Sequence, residues 1–465
     1  MVDPLRLALA GDESAEGLLP QAGFDADMEG RQDLEGLIAG LNGLAGLDGE
    51  EEVDRLALLS GLRRSMPPAG PAVPLGARAV EAHLLAVLPR AAAEPRMGAE
   101  LLASVVDAAP AFLGLAREGC LGAAPDECRV ALAASQRLPT LLDLLAAAAG
   151  SLPISRLLRE RLEAGLGALL AAAAEDAGVL VRKLLPAAAP RPLPPGLQLA
   201  GGWDQDRLRE QAEALLATQV LEADDDADED EMPADVAPTP ATIERAWASA
   251  LDRASAWCPQ PGPPSLVFVD TPAWLRPLVP ALALAPTGPL STGSDRLLVD
   301  RDTAAPGLAS ALLRMELTER LPLAWRRARP RLARILGACP DSAEGWRANA
   351  LEAGPGAGAQ NTRRELAWRA ALALCALEMV GGRMDVEMAA DMIAVESGLP
   401  IDRARLQAMH LSVAPIGALT FIAGRAEVRA AVERLGGDPG ARARVLGAGQ
   451  LPAFAIAALG SPGIG

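Results

Sequence analysis

Two histidines, His83 and His410, are the chain's whole supply of imidazole, and tyrosine is absent. A three-histidine metal site is therefore impossible within one chain. The commonest phenolic acid and hydrogen-bond donor is also missing from any mechanism. The five cysteines, Cys120, Cys128, Cys258, Cys339 and Cys375, are scattered with no C-x-x-C pair. That spacing argues against a zinc knuckle or a disulfide framework and for buried thiols. The run Glu222 to Glu231 concentrates carboxylates. It lacks the glycine and the spaced oxygen ligands of a calcium loop, so we expect a solvated, self-repelling loop that contributes little to stability. The glycine-rich stretch Gly354-Pro355-Gly356-Ala357-Gly358-Ala359 has neither the lysine nor the strand-to-helix context of a phosphate loop. His83, within Glu81-Ala82-His83-Leu84-Leu85, needs no chemical role.

The electrostatic balance narrows the partners. With 43 basic and 60 acidic side chains the formal net charge is −17. Coulomb repulsion opposes binding to nucleic acid and to anionic membranes, so neither is an expected partner. Met1-Val2-Asp3-Pro4-Leu5-Arg6 is not a basic stretch leading into an apolar one. The apolar region from Leu141 carries Asp143 and meets Gly150 and Pro153, which makes it a poor bilayer span. The expectation is a soluble, cytoplasmic protein.

The elements that must position any site are mostly helices. Alanine, leucine, arginine and glutamate favour them, and 465 residues allow one large or two to three ordinary domains. From Ile154 to Lys183, Leu157, Leu158, Leu162, Leu166, Leu169 and Leu170 recur at helical spacing. Pro186, Pro190, Pro192, Pro194 and Pro195 then mark an extended connector. Thr239-Pro240 reads as an N-cap followed by proline in the first turn, with Ile243, Trp247, Leu251, Ala254 and Trp257 on one face. Leu266 to Val269 and Leu297 to Val299 are strand candidates. Further helices are expected from Pro306 onward, the first carrying Leu308, Leu312 and Leu313, then over Leu366 to Val380, Met384 to Ser397 and Ile401 to His410. The resulting organisation is a helical N-terminal region (1–185), a proline-rich and acidic connector (186–240) and a C-terminal region (241–465).

Four motif frames lie in that last region. Asp302-Thr303-Ala304-Ala305-Pro306-Gly307-Leu308 is the first, Glu344-Gly345-Trp346 opens the second, and Ala376-Leu377-Glu378-Met379-Val380 is the third. The fourth runs from His410 through Pro415, Ala418 and Phe421 to Gly424. Their order resembles a bacterial gluzincin-like metallopeptidase family catalogued as domain of unknown function 885. Its motifs have the forms H-E-x-x-P-G-H, E-G-W-x-x-Y-x-E, D-x-G-x-H and R-Y-x-x-x-P-x-Q-A-x-x-Y-x-x-G. The resemblance covers Asp302 to Leu435, and Pro194 to Ala217 is similar to the family's middle region. It implies a mainly α, zincin-like helical peptidase fold with a small antiparallel β element. The strands would flank the helix that begins near Pro306.

The departures fall on the chemical positions. The first motif's histidines become Asp302 and Leu308, and its glutamate becomes Thr303. In the second, the tyrosine falls on Asn349 and the glutamate on Leu351; Glu352 comes one residue late, a turn of about 100° on a helix. In the third, the aspartate becomes Ala376, the glycine Glu378 and the histidine Val380. In the fourth, the arginine becomes His410, the glutamine Gly417 and the tyrosines Leu411 and Phe421. A catalytic zinc takes three protein ligands, yet only Asp302 and Glu344 offer carboxylates at ligand-like positions. Threonine cannot replace the base near neutral pH. We therefore expect no catalytic residue, no metal and no cofactor. The vestigial cleft would comprise Asp302, Thr303, Pro306, Gly307, Leu308, Glu344, Trp346, Glu352, Glu378, His410, Phe421 and Arg425. Trp346 suits either the core or a ligand platform, and Arg425 suits a carboxylate or the surface. The expected function is that of a pseudoenzyme binding an unknown peptide, small molecule or partner protein. The alternatives are metal-free chemistry in the same cleft, or a zinc peptidase with displaced ligands; Asp302, Glu344 and His410 would also suit a carboxylate–carboxylate–histidine site for another metal, if they converge.

Overall fold

The computed structural model describes residues 34–47, 49–65, 76–93, 95–118, 123–149, 154–188, 204–221, 239–262, 265–270, 282–285, 295–301, 308–328, 339–357, 360–413, 415–449, 451 and 455–456. Residues 190–195, 222–231 and 302–307, and with them the proline run, the acidic run and most of the first motif, lie outside the described residues.

Leucine- and alanine-rich helices α2 (Gly76–Ala93), α3 (Pro95–Glu118), α4 (Pro125–Ala149) and α5 (Arg156–Val179) pack around a core that includes Leu84, Leu113, Leu138, Leu142 and Leu169. Ser155 caps α5 by accepting from the Leu158 amide at 3.2 Å. The α5 stripe is narrower than its leucines predict. Leu162, Leu166 and Leu169 are buried, whereas Leu157 is 78% exposed, because only the side toward α3 and α4 is covered. A π-helical turn (Leu180–Leu184) carries the chain into Leu185–Ala187, so Pro186 sits in helix rather than in an extended connector. By length and composition, Gly98–Arg117 and Arg156–Ala187 are long and apolar enough to cross a membrane, with 50% and 33% of their apolar windows buried in the fold.

The remaining helices build two further cores. Helix α1 (Gly49–Ser65) contributes Val53 and Ala57 to a cluster with Trp247, Trp257 and Trp346. Helix α6 (Gln205–Leu221) lies within the proline-rich and acidic stretch. It buries Leu208, Ala212 and Leu215, spaced by four and three residues, against α11 (Gln360–Val380). Helix α7 (Pro240–Trp257) starts as its sequence requires: Thr239 Oγ1 accepts from the Thr242 amide, and Pro240 opens the first turn.

Strands β1 (Ser265–Val269), β2 (Leu282–Ala285) and β3 (Arg296–Asp300) form one sheet in the order β1-β3-β2. The two strands expected from sequence are thus present, but they pair in parallel, not antiparallel. The reason is β2, which runs antiparallel to β3. Two reversals of direction return β3 to the heading of β1. The alternating leucines and alanines of β2 carry no β-branched signal. On β3 the pleat sends Leu297 and Val299 into the core shared with α7 and α8 (Leu308–Met315), and Leu298 toward Val269.

A second π-helical turn, Glu316–Arg320, joins α8 to α9 (Leu321–Ala328). Its Arg320 and Glu316 form a buried ion pair at 2.5 Å, and Arg320 also donates to Gly262 O and Gln260 Oε1. Burial raises the Glu316 carboxyl above its ordinary range, and Arg320 opposes that shift. Helices α10 (Pro340–Ala353), α11, α12 (Val386–Ser397), α13 (Ile401–Val413), α14 (Ile416–Arg434) and α15 (Pro439–Gly447) complete the described chain. The fold is mainly α.

Candidate functional site

Helices α10 and α14 make the most extensive helix–helix contact of the described chain. The glycines of the second and fourth motifs explain it. A Cβ added to Gly345 would overlap the Gly424 backbone, and one added to Gly424 would overlap the Asp341 carbonyl. These glycines therefore have a packing cause that is independent of chemistry. Glu352, seven residues after Gly345, returns to nearly the same helix face. There it meets Arg425 of α14, Nε to Oε1 at 2.5 Å. Coming one residue late removes this carboxylate from the line of Glu344 and places it on the line of Gly345. Arg425 does hold a carboxylate, but one belonging to its own fold.

Glu344 faces α11. Its Oε2 lies 3.3 Å from Arg369 Nη1. The Arg369 guanidinium sits 5.0 Å from the Trp368 ring centroid and 5.5 Å from that of Phe421. Cation–π attraction on two faces thus helps to hold the arginine beside Glu344. Arg369 also approaches Glu365 at 3.9 Å, and Glu365 pairs with Arg314 at 3.1 Å. Within this cluster three buried polar atoms make no hydrogen bond: Glu344 Oε2, which has its ion pair with Arg369, and Arg369 Nε and Trp368 Nε1. One is an acceptor and two are donors. A buried donor left without a partner costs about 1–3 kcal/mol.

The other predicted positions lie elsewhere. Leu308 and Trp346 are core residues, 3% and 2% exposed. The Trp346 indole donates to Leu317 O at 2.7 Å and packs on Trp257 with centroids 5.2 Å apart. Glu378 is nine residues beyond Arg369 on α11, about half a revolution round the helix. It pairs with Arg383 at 2.5 Å and with Arg209 of α6 at 2.9 Å, and these bonds hold its carboxyl below the ordinary range. His410 lies in the last turn of α13. Burial lowers its pKa to about 4, Arg78 of α2 and Arg137 of α4 push the same way, and Glu81 opposes them. Its surroundings are the N-terminal bundle, and the structure does not bring it together with Glu344. Asp302, Thr303, Pro306 and Gly307 fall outside the described residues.

The donors among the described residues do not gather as zinc requires. Among the described residues no three His, Cys, Asp or Glu side chains gather as a metal site would need. Glu344 faces a cation, and Leu308 is a buried hydrocarbon side chain. Cys258 and Cys375 are buried thiols pushed up to about 12 by burial, far from the thiolate a metal prefers. Arg369, Trp368 and Glu365 were not singled out from sequence. The signal was the adjacent Trp368-Arg369 pair, hidden because it matches no motif position.

No protein-family model matches the chain, and no curated protein matches it. Two solved structures share its fold over nearly its whole length, each described as a putative lipoprotein. The one from Colwellia psychrerythraea has a TM-score of 0.71 at 11% identity, covering 97% of this chain and 94% of its own. The one from Shewanella oneidensis, of unknown function, has a TM-score of 0.58 at 13% identity, covering 99% and 100%. At these identities the likeness is one of fold. It extends from the N-terminal bundle through the C-terminal helices.

Proposed function

We propose that this chain is a metallopeptidase-like pseudoenzyme that binds a peptide, a small amide-bearing molecule or a segment of a partner protein at the cluster of Glu344, Trp368, Arg369 and Phe421. The observation that carries the reading is the Glu344–Arg369 pair. A carboxylate that served zinc would have to give up this cation, and a guanidinium 3.3 Å away repels a divalent ion. The same pair, with Trp368, holds one acceptor engaged only by its ion pair and two donors without a hydrogen-bond partner. An amide supplies the complement: its carbonyl accepts from Arg369 Nε or Trp368 Nε1, and its N–H donates to Glu344. Threonine at 303 and leucine at 308 support a loss of chemistry at the first motif. Cytoplasmic residence belongs to this reading. The lipoprotein description of the two fold neighbours makes an envelope location the contrasting outcome of cell fractionation.

The test combines three measurements on the full chain. Metal content after dialysis should fall well below one zinc per chain. Peptide turnover should stay at background with and without added zinc. N-acetyl dipeptide amides should bind saturably, with affinity reduced about tenfold or more by Arg369→Met, since a hydrogen bond to a charged group is worth about 1.5–3 kcal/mol. Stoichiometric zinc with turnover abolished by Asp302→Ala would establish the displaced-ligand hydrolase instead.

A further inference from the structure

Helix α12 is apolar on two sides. Ala389, Ala390 and Ile393 are buried in the core it shares with α11 and α13. Val395 is two residues past Ile393, about 200° round the helix, and so points away from that core. Met388, seven residues before Val395, lies on the same outward line. Met388 is 48% exposed and Val395 79%. Met392 stands between them, half-buried at the edge of the core. A helix that is apolar all round belongs in an interior, yet this side of α12 stands open. The rim of the strip carries one sign of charge. Helix α12 holds Glu387, Asp391 and Glu396 and no basic residue. Asp391, four residues before Val395, flanks the strip on one side, and Glu396, four residues after Met392, flanks it on the other. Glu387 is engaged by Arg405 of α13 at 2.9 Å. Asp391 and Glu396 form no ion pair among the described residues.

We propose that the strip of Met388, Met392 and Val395 docks a cationic amphipathic helix of a partner protein, whose apolar side chains lie on the strip and whose basic side chains meet Asp391 and Glu396. Anchors spaced by four and three residues are those by which one helix face engages another. Methionine suits such a surface, because its unbranched thioether chain adapts to the shape of an incoming side chain. The charge names the partner. Unpaired carboxylates on both flanks attract lysine and arginine, and the net charge of −17 speeds the approach of a cation from a distance. A second copy of this chain is the wrong occupant. Pairing α12 with itself would bring two sets of Glu387, Asp391 and Glu396 to one seam, where like charges repel. An anionic lipid surface meets the same opposition. The strip spans only two helical turns, so the complex belongs to the weak, transient class. It lies on a different helix from Glu344 and Arg369, and it stands or falls separately from the pseudoenzyme reading.

The test is fluorescence anisotropy of the full chain with a labelled leucine–lysine peptide of about 18 residues, long enough to form a helix, with its leucines on one face. One control has the same composition with the leucines scattered round the helix, and another replaces every lysine with glutamate. The amphipathic lysine peptide should bind saturably and about tenfold or more tightly than either control, because the first control lacks the apolar face and the second the charge. Met388→Gln with Val395→Gln, which alters no charge, should cut its affinity about tenfold. Asp391→Asn with Glu396→Gln should weaken binding and flatten its dependence on salt. Equal binding of the amphipathic and scattered lysine peptides would mean attraction to an acidic chain at large, and would overturn the proposal. So would equal binding of the glutamate peptide, no saturable binding, or a Met388→Gln, Val395→Gln protein that binds as the parent does. A parent that sediments as a dimer and is made monomeric by that double variant would assign the strip to a second copy, and vesicle binding lost in the same variant would assign it to lipid; either result overturns the proposal. The comparison of the three peptides on the unaltered chain decides the matter even if a variant does not fold.

Discussion

A glycine in mid-helix ordinarily costs about 1 kcal/mol relative to alanine, so Gly345→Ala would stabilise α10 if propensity were the only consideration. Backbone contact with Gly424 reverses the sign. The added methyl overlaps main chain, not the end of a flexible side chain, so the two helices must separate along their whole contact. Overpacking of this kind costs about 1–3 kcal/mol or more and outweighs the propensity gain. We expect Gly345→Ala and Gly424→Ala each to lower denaturant stability by roughly 2 kcal/mol or more. A stability equal to or above that of the parent would rule out the close crossing. At this scale the sequence was readable in part. Glu344, singled out from sequence, pairs with Arg369 of α11, and Trp346 is a core residue packed on Trp257. Arg369 was invisible because its partners arrive from α10 and α14, and no spacing along α11 announces them.

Helix ends and faces were the most legible elements, since capping and amphipathic spacing are local. Thr239, with Pro240 after it, starts α7 where expected, and Ile243, Trp247, Ala254 and Trp257 point inward. Strand pairing was less legible, because the direction of β3 relative to β1 depends on an alanine–leucine strand that reads as helix. The docking of α13 on the N-terminal bundle was hidden for the same non-local reason, and it has a pH signature. His410 titrates at about 4 in the fold against an ordinary value of 6.5, so the folded chain prefers the neutral ring. Its stabilising contribution is complete above about pH 6.5 and is lost as pH falls through about 4. Discounted for partial exposure, the loss is roughly 2 kcal/mol. Urea unfolding at pH 7 and pH 4.5 should show the parent losing more stability than His410→Gln. Identical acid sensitivity in the two proteins would mean that the α13 docking does not withhold water from this ring.

For the molecule as a whole, composition alone places a boundary near residue 240, where the proline-rich and acidic stretch ends. Packing predicts a different minimal unit. Helix α6 lies before that point, yet Leu208, Ala212 and Leu215 belong to the core of α11 and α12, and Arg209 bonds to Glu378 across the interface. Burying a leucine side chain contributes about 1.5–3 kcal/mol, so removing α6 should cost the C-terminal region more than about 3 kcal/mol, a large share of a typical domain's stability. Helix α1 adds Val53 and Ala57 to the tryptophan-rich core from farther away still. By contrast, α2 to α5 close a core of their own. Fragments 76–188, 204–465 and 239–465 should therefore rank clearly in circular dichroism and urea melts. The first should unfold cooperatively, the second should be helical but weakened by the loss of α1, and the third should be less stable than the second by at least 3 kcal/mol, the share assigned to α6. If 239–465 matched 204–465, α6 would be a passive cover, and the boundary would lie where composition puts it.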